Sequence, residues 1–487
     1  MSLQVTDYYW VGGSVNWSDI SHWATTSGGA VTHNTAPTAE DNVIFDANSF
    51  TATGQVVTVN SANAFCRDMI WRNVANAPVF AGEPDRILNV YGSLLLSDAM
   101  QFDFAGRTNL LSREVDREID PARQPLAGSL ILEGEGGGWQ LRSPLLLNGA
   151  LQLLNGALAT NGQPIRCASL TVAAGELRLG TSQVEVTGSG NGNNALVSIN
   201  ANNLVLEAAQ AAFILSGTNT GLEVAGPGVT IGEVEFTSEN GTASLKGPEA
   251  TLAVLGNVTF AANGRLLGLI EAGEMHFSAG RLYTLQSGFA YRVGKLVAPG
   301  QCVAPIQLFA SESGAFATLQ SDGAGVEAEY LSVKDVHAEG SGAFQIDNSA
   351  DLGNNQGWTI NARPNNDLYW VGGTGSWDDP AHWSFSSGGP GGACIPTGAD
   401  NVIFDGNSFD GPGGVVQVNI ENAFCRDMRW TGATGRPILQ GTLDRNLRIY
   451  GSLQLIPAMD VQFEGDVHFE SPRTGNRIAT AGHRLRQ

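Results

Sequence analysis

Three short apolar runs in this chain read Gly128-Ser-Leu-Ile-Leu132, Gly149-Ala-Leu-Gln-Leu153 and Ala168-Ser-Leu-Thr-Val172. Apolar residues that recur at every second position are typical of β-strands with one buried face. The three runs begin 21 and 19 residues apart, which is close to the length of one coil of a parallel β-solenoid. In such a fold each coil buries its inward side chains on the coil below, so the core is a column.

The same pattern extends over residues 107–366, where apolar runs alternate with Gly, Asn and Ser turns. We therefore predict an all-β protein, a parallel β-helix (β-solenoid) that we expect to be right-handed, with small Trp- and Gly-rich capping segments. The run at Gly92 begins 36 residues before Gly128, so we expect an insertion at 113–123. An up-and-down barrel or an array of β-sandwiches would also give short strands, but sandwich domains would repeat aromatic core positions every hundred or so residues.

A long duplication divides the chain. Tyr9-Trp-Val-Gly-Gly13 returns at 369–373, and Asp41-Asn-Val-Ile-Phe-Asp46 returns at 400–405. We predict a cap segment at 1–40, the solenoid body of a first module at 41–366, and the start of a second, incomplete copy at 367–487. A solenoid cut in mid-module exposes an edge that natural chains usually cap, so we expect an excerpt from a longer array.

The chain is strongly acidic. Lys and Arg number 26 against 47 Asp and Glu, which gives a formal charge of −21 over 487 residues. Nucleic acid and anionic lipid need a basic surface, so we expect neither as a partner. No run of about 18 apolar residues occurs, so we expect no helix inserted in a membrane.

Several motifs act together as a signature: Tyr9-Trp-Val-Gly-Gly13, Asn16-Trp-Ser-Asp19, Phe65-Cys-Arg-Asp-Met69 and the closing Gly353-Asn-Asn-Gln-Gly-Trp358. This combination resembles modules of very large, repetitive cell-surface proteins of gliding and related environmental bacteria, and the resemblance covers nearly the whole chain. Those proteins are adhesin-like and built of autotransporter-like β-solenoids. The resemblance implies an extracellular or cell-surface location, although no signal peptide is visible in this chain. It implies as partners an extracellular or cell-surface glycan or protein and neighbouring modules of the array.

The leading hypothesis is therefore a structural and interaction module that acts as a stalk or adhesin. Parallel β-helices also host polysaccharide lyases and hydrolases that use paired carboxylates, so a carbohydrate-active or carbohydrate-binding β-helix is an alternative. A phage or injection-particle fibre, which would be a trimer, is another. We predict no catalytic residues, because no Gly-x-Ser-x-Gly elbow, His-Glu-x-x-His helix or P-loop is present.

Six tryptophans form two matched sets within the duplicated segments: Trp10, Trp17 and Trp23, and Trp370, Trp377 and Trp383. They are candidate ligand-binding residues, because an exposed indole can stack on a sugar ring. The other interpretation is that they form the core of a small cap, where burial of three large aromatic side chains would contribute several kcal/mol.

Oxygen-rich turns offer candidate calcium ligands, since calcium takes six to eight oxygen ligands. The same residue types also form turns through hydrogen bonds from side chain to backbone, and no EF-hand spacing is present. The candidates are Asp41, Asp46, Asn48, Asp347, Asp351, Asn354, Asp400, Asp405 and Asn407.

Five cysteines are too few and too scattered for a disulfide framework. Cys66, Cys167, Cys425 and Cys302 precede apolar strands, so we expect buried thiols at a corner of the coils. A disulfide between neighbouring coils is the alternative, and it requires two of these residues to lie close in space. Cys394 has no counterpart in the first copy, so we expect no role for it.

Overall fold

The computed structural model describes residues 5–191 and 195–485. The protein is all-β, only 2% helical, and its parallel strands stack into a β-solenoid of about 19 turns. Two compact units are formed by Met1–Ala262 with Gly268–Glu271 and by Asn263–Leu267 with Ala272–Gln487. The division between them lies inside the predicted body at 41–366.

The strands are short and follow one another closely along the chain. In the first half they are β1 (Thr6–Trp10), β2 (Val15–Asn16), β3 (Trp23–Ala24), β4 (Asp41–Phe45), β5 (Val56–Val59), β6 (Asn63–Cys66), β7 (Met69–Trp71), β8 (Val79–Gly82), β9 (Ile87–Val90), β10 (Leu94–Leu95), β11 (Gln101–Phe104), β12 (Arg107–Leu110), β13 (Arg117–Asp120), β14 (Pro125–Leu126), β15 (Ser129–Leu141), β16 (Leu145–Leu147), β17 (Ala150–Ala159), β18 (Ile165–Cys167), β19 (Ser169–Val172), β20 (Gly175–Arg178), β21 (Gln183–Val186), β22 (Val197–Asn200), β23 (Leu204–Leu215), β24 (Gly221–Ala225), β25 (Thr230–Phe236), β26 (Thr242–Lys246) and β27 (Ala253–Phe260).

The remaining strands are β28 (Asn263–Leu267), β29 (Ile270–Phe277), β30 (Leu282–Leu285), β31 (Ala290–Pro299), β32 (Ile306–Ala310), β33 (Ala317–Gln320), β34 (Gly325–Glu329), β35 (Leu331–Lys334), β36 (Val336–Glu339), β37 (Gln345–Ile346), β38 (Ala350–Asp351), β39 (Thr359–Ile360), β40 (Asp367–Trp370), β41 (Gly375–Ser376), β42 (Trp383–Ser384), β43 (Asn401–Ile403), β44 (Val415–Gln417), β45 (Asn422–Cys425), β46 (Met428–Arg429), β47 (Ile438–Gly441), β48 (Asn446–Ile449), β49 (Leu453–Gln454), β50 (Asp460–Phe463), β51 (Asp466–Phe469) and β52 (Ile478–Ala479). The described helices are single 3-10 turns at Ile20–His22, Ala201–Asn203 and Pro380–His382, and none of them is long and apolar enough to cross a membrane.

Parallel ladders run along the first unit, and a long strand such as β15 belongs to two of them, because it pairs with both β12 and β13. One ladder passes through β12, β15, β17 and β19, with Thr108, Leu130, Leu151 and Leu170 in register. Leu130, Leu151 and Leu170 are all buried, whereas Gln152, which lies next to Leu151, is partly exposed. The predicted parallel β-solenoid is therefore confirmed, and its stacked leucines are the predicted column.

The β-sandwich array is wrong, because the registered pairings of the described strands are parallel apart from β1 with β3 and β40 with β42. A sandwich of the kind considered above is built from antiparallel sheets.

The predicted insertion at 113–123 is also wrong. Residues Arg117–Asp120 form β13, which continues a ladder through Met69, Leu94 and Ile119. The run at Gly92 lies on a different face of the coil from the run at Gly128. The interval of 36 residues therefore measures from one face to another. Five extra residues do lie between two faces of this coil, because Val90 and Leu94 are four positions apart while their partners Leu110 and Ile119 are nine apart. The prediction erred in extending the insertion over β13.

Each copy begins with a capping turn. In the first copy β1 pairs parallel with β4 and antiparallel with β3, so that Trp10 lies opposite Trp23. The second copy repeats this with β40, β43 and β42. The antiparallel strand folds back over the first coil, which is how the Trp-rich segment acts as a cap.

The second unit contains the last coils of the first module and the second copy. The ladder β30, β32, β35 and β38 ends the first module. The second copy has its own core, whose buried members all lie between Leu368 and Val467. A smaller apolar cluster joins residues of the two parts.

Candidate functional site

The first tryptophan set lies in the core of the cap. Trp10, Trp17 and Trp23 are at most 2% exposed. Trp23 lies edge to face against both of the others, with ring centroids 4.9 Å apart. The Trp23 Nε1–H donates to the Trp17 carbonyl at 2.8 Å, and the Trp10 Nε1–H donates to Gly12 at 3.1 Å.

The second set repeats this arrangement. Trp370, Trp377 and Trp383 are fully buried, with centroid separations of 5.1 Å for Trp383 to each of the other two. An indole ring with no exposed face cannot stack on a sugar ring. In place of the aromatic platform, the structure shows that all six side chains pack the two caps.

The predicted calcium ligands near the caps accept hydrogen bonds within turns. One Asp41 carboxylate oxygen accepts from the Thr38 N–H at 2.9 Å and from its hydroxyl at 2.6 Å. The Asp46 carboxylate accepts from the Asn48 N–H at 3.0 Å. Asp400, Asp405 and Asn407 repeat these bonds in the second copy.

The third oxygen-rich segment is a separate set of turns. Asp351 accepts from the Asn355 amide at 2.6 Å and from the Gly353 N–H at 3.0 Å. Asp347 accepts from the Asn361 amide at 2.7 Å. Asn354 instead donates to Asp335 at 2.7 Å. The structure therefore uses these residues in turns. Over 5–191 and 195–485 no three His, Cys, Asp or Glu residues are grouped so that they could hold a metal ion.

Three of the five cysteines are buried free thiols, as predicted. Cys66 and Cys425 are fully buried and face Val90 and Ile449 in the neighbouring coils. Burial raises the pKa of Cys66 and Cys425, and it raises that of Cys167 to about 12. These thiols are therefore protonated and unreactive at neutral pH.

The predictions for Cys302 and Cys394 are wrong, because these two residues form a disulfide. Their Cα atoms are 4.5 Å apart although 92 positions separate them in the chain. The neighbouring Ile395 N–H donates to the Cys302 carbonyl at 3.0 Å. The bridge connects the end of the first module to the start of the second copy. We call the contact between these two parts the module junction.

An apolar cluster forms the centre of the module junction. Phe424 and Tyr450 of the second copy pack against Leu352 and Ala350 of the first module, and all four are buried. Phe309 lies edge to face on Phe424, with centroids 5.8 Å apart. The centre of the module junction is therefore apolar.

A charged network lies beside the apolar cluster. Lys334 of the first module forms an ion pair with Glu470 of the second copy, and Arg448 pairs with the same carboxylate. The Tyr450 hydroxyl donates to Glu470 at 3.1 Å. Burial alone would raise the pKa of Glu470, but the hydrogen bonds and charges of Lys334 and Arg448 outweigh it and hold the pKa below its usual range.

Arg363, in the linker between the two parts, forms a buried ion pair with Asp400. Burial raises the pKa of Asp400, and the Arg363 charge and the Thr397 hydrogen bonds oppose that rise. The linker is therefore tied to the first coil of the second copy.

Sequence reasoning did not find the module junction. Two weak signals were present: Cys394 is a cysteine without a counterpart in the first copy, and Lys334 is one of only three lysines in the chain. Neither signal indicated the partner residue, because Cys394 and Cys302 are 92 positions apart and Lys334 and Glu470 are 136 positions apart.

In the comparisons with known proteins, no family model, curated protein or solved structure matches the chain.

Proposed function

We propose that this chain is a structural and interaction module of a repetitive bacterial surface protein, and that it acts as a stalk or adhesin. The observation that carries the proposal is the module junction, where a disulfide links the end of one module to the start of the next. A repetitive surface protein needs such joints, because each solenoid coil contacts only its neighbours and a free hinge would lie between modules.

The disulfide also supports an extracellular or cell-surface location. Disulfides persist in oxidising compartments and are rare in the cytosol of mesophiles. The acidic composition fits this setting, since a net charge of −21 opposes self-association of such modules. The partners under this proposal are neighbouring modules and an extracellular glycan or protein.

The location is tested by trapping thiols in the source bacterium. Intact cells are quenched in acid, denatured with an alkylating reagent, and the protein is examined by mass spectrometry. We expect label on Cys66, Cys167 and Cys425 and none on Cys302 or Cys394. Complete labelling of all five cysteines would place the protein in a reducing compartment and overturn the surface proposal.

The adhesin role is tested with antibodies against the chain. We expect them to label intact cells and to block attachment of those cells to glycan-coated surfaces. Permeabilised cells and an antibody against a cytoplasmic protein serve as controls. Labelling that appears only after permeabilisation would contradict the proposal. Release of reducing ends from a polysaccharide by the purified chain would favour the carbohydrate-active alternative.

A further inference from the structure

The two copies of the duplicated segment differ where the second copy contacts the first module. Most of the cap and core residues are shared, including Phe65 with Phe424 and Tyr91 with Tyr450. The copies differ at many aligned positions, and those at this contact include, first copy before second, Thr35 and Cys394, Ala36 and Ile395, Ala39 and Gly398, Glu40 and Ala399, Asn89 and Arg448, and Leu111 and Glu470. The backbone is equivalent in both: the Leu111 N–H donates to Val90 as the Glu470 N–H donates to Ile449.

Gly398 shows a steric requirement at the module junction. A Cβ atom built on Gly398 would lie 2.7 Å from Leu352 Cδ2 and 2.7 Å from the Tyr450 ring. Both neighbours are buried, and Leu352 is the one that belongs to the first module. The first copy carries Ala39 at this position, so its side chain would clash in an equivalent contact.

The next position shows a polarity requirement. Ala399 packs against the apolar cluster of the module junction. Its counterpart Glu40 is exposed in the first copy. A carboxylate placed in that apolar contact would lose part of its hydration.

The charged positions show a third requirement. Arg448 and Glu470 provide the network that receives Lys334 of the first module. The first copy has Asn89 and Leu111 there, and Asn89 instead bonds to Asn63 at 3.4 Å. A lysine brought to that face would be buried without a counter-ion.

We infer that the second copy carries a docking face that recognises the terminal coils of a preceding module, and that the first copy is not built to dock in this way. The recognised partner surface offers Leu352 and Phe309 as apolar contacts, Lys334 as a cation and Cys302 as a thiol. The two copies are therefore not interchangeable. The docking face allows the second copy, and not the first, to follow the terminal coils of a module. This inference concerns the module junction alone and holds wherever in the cell the protein acts.

The test measures docking in the whole 487-residue chain after reduction of the disulfide. Cys394 is buried at the module junction, so its alkylation under native, reducing conditions requires the docking face to open. The buried Cys66, Cys167 and Cys425 are protected, and mass spectrometry resolves the label at each cysteine. The parent chain should show slow alkylation of Cys394.

The test variant is G398A/A399E, which gives the second copy the residues of the first. We expect it to raise the alkylation rate of Cys394 at least tenfold, with Cys425 still protected as evidence that the second copy remains folded. The matched control A39G/E40A, made in the first copy, should leave the rate unchanged.

A second variant, R448N/E470L, tests the charged part of the face without adding bulk at Gly398. We expect at least a fivefold increase in the alkylation rate of Cys394. Equal rates in the parent and in both second-copy variants would overturn the inference. So would an increase in A39G/E40A as large as that in G398A/A399E.

Discussion

Phe65 and Phe424 occupy equivalent places in the two copies, yet Phe65 is 37% exposed and Phe424 is 5% exposed. The strands that carry them, β6 and β45, have the same Asn-Ala-Phe-Cys sequence. The difference arises because Phe309 and Leu352 cover only Phe424. At the scale of a single residue, burial is therefore decided by the neighbouring module.

This pair gives a matched prediction. Phe424→Ala should lower the free energy of unfolding by about 3 kcal/mol, because it removes a buried ring and leaves a cavity. Phe65→Ala should cost less than about 1 kcal/mol, as expected for an exposed position. Denaturant titration of both variants measures the difference. Equal losses would show that the module junction does not persist in solution.

Glu470 gives a prediction of pH dependence. Its pKa in the folded protein lies below the ordinary value of 4.5, so its stabilising contribution is present above pH 4.5 and is lost as the pH falls through the folded pKa. Lys334, Arg448 and Tyr450 face this carboxylate. The pKa of Asp400 is raised, so its effect on stability as the pH falls is opposite to that of Glu470. The contribution of Glu470 is therefore measured as a difference between the parent protein and a variant that lacks only the Glu470 charge.

Calorimetry of the parent and Glu470→Gln between pH 7 and pH 3 provides that difference, since Asp400 is common to both. We expect the variant to melt several degrees lower at pH 7 and the gap between the two melting temperatures to narrow as the pH falls below 4.5. A gap that stays constant across this range would contradict the assigned role of the Glu470 charge.

At the scale of elements, the disulfide joins the loop after β31 to the loop after β42. It closes a loop of 92 residues, for which the chain-entropy model gives a stabilisation of about 4.6 kcal/mol. Cys302→Ser/Cys394→Ser should therefore lower the free energy of unfolding by up to that amount. Denaturant titration with and without reductant measures it. Reductant should have no effect on the double variant, because the remaining thiols are unpaired.

The coil length explains which elements were predictable. Leu130 and its in-register partner Leu151 are 21 residues apart, and Leu151 and its partner Leu170 are 19 apart, so these strands were found from the sequence. The strand β13 was mistaken for an insertion because its pattern, Arg-Glu-Ile-Asp, carries a single apolar residue. Its place depends on Ile119 stacking on Leu94, which the local pattern does not reveal.

At the scale of the whole molecule, the oxygen-rich turns decide whether calcium contributes to stability. Asp41 and Asp46 accept hydrogen bonds from their own turns, and within the described residues no carboxylate-rich group suited to a metal is formed. We expect a chelator to change the melting temperature by less than about 1 °C. A calcium site at a calcium concentration 100 times its Kd would add about 2.7 kcal/mol to the free energy of unfolding and raise the melting temperature by several degrees. A large fall in melting temperature on adding chelator would therefore support the calcium prediction.

The sequence by itself determined the all-β class, the parallel coils and the duplication. The reason is that the apolar strands of neighbouring coils, and the two copies of the duplicated segment, recur visibly along the chain. It also placed the tryptophans in matched sets, but it left open whether they bind sugar or pack a cap. Only the tertiary structure decided that they are buried, and only it joined Cys302 to Cys394 and Lys334 to Glu470. The physical reason is that the residues in contact between one module and the next do not recur at a regular spacing in the sequence. Shape and charge determine which residues from distant parts of the chain meet there.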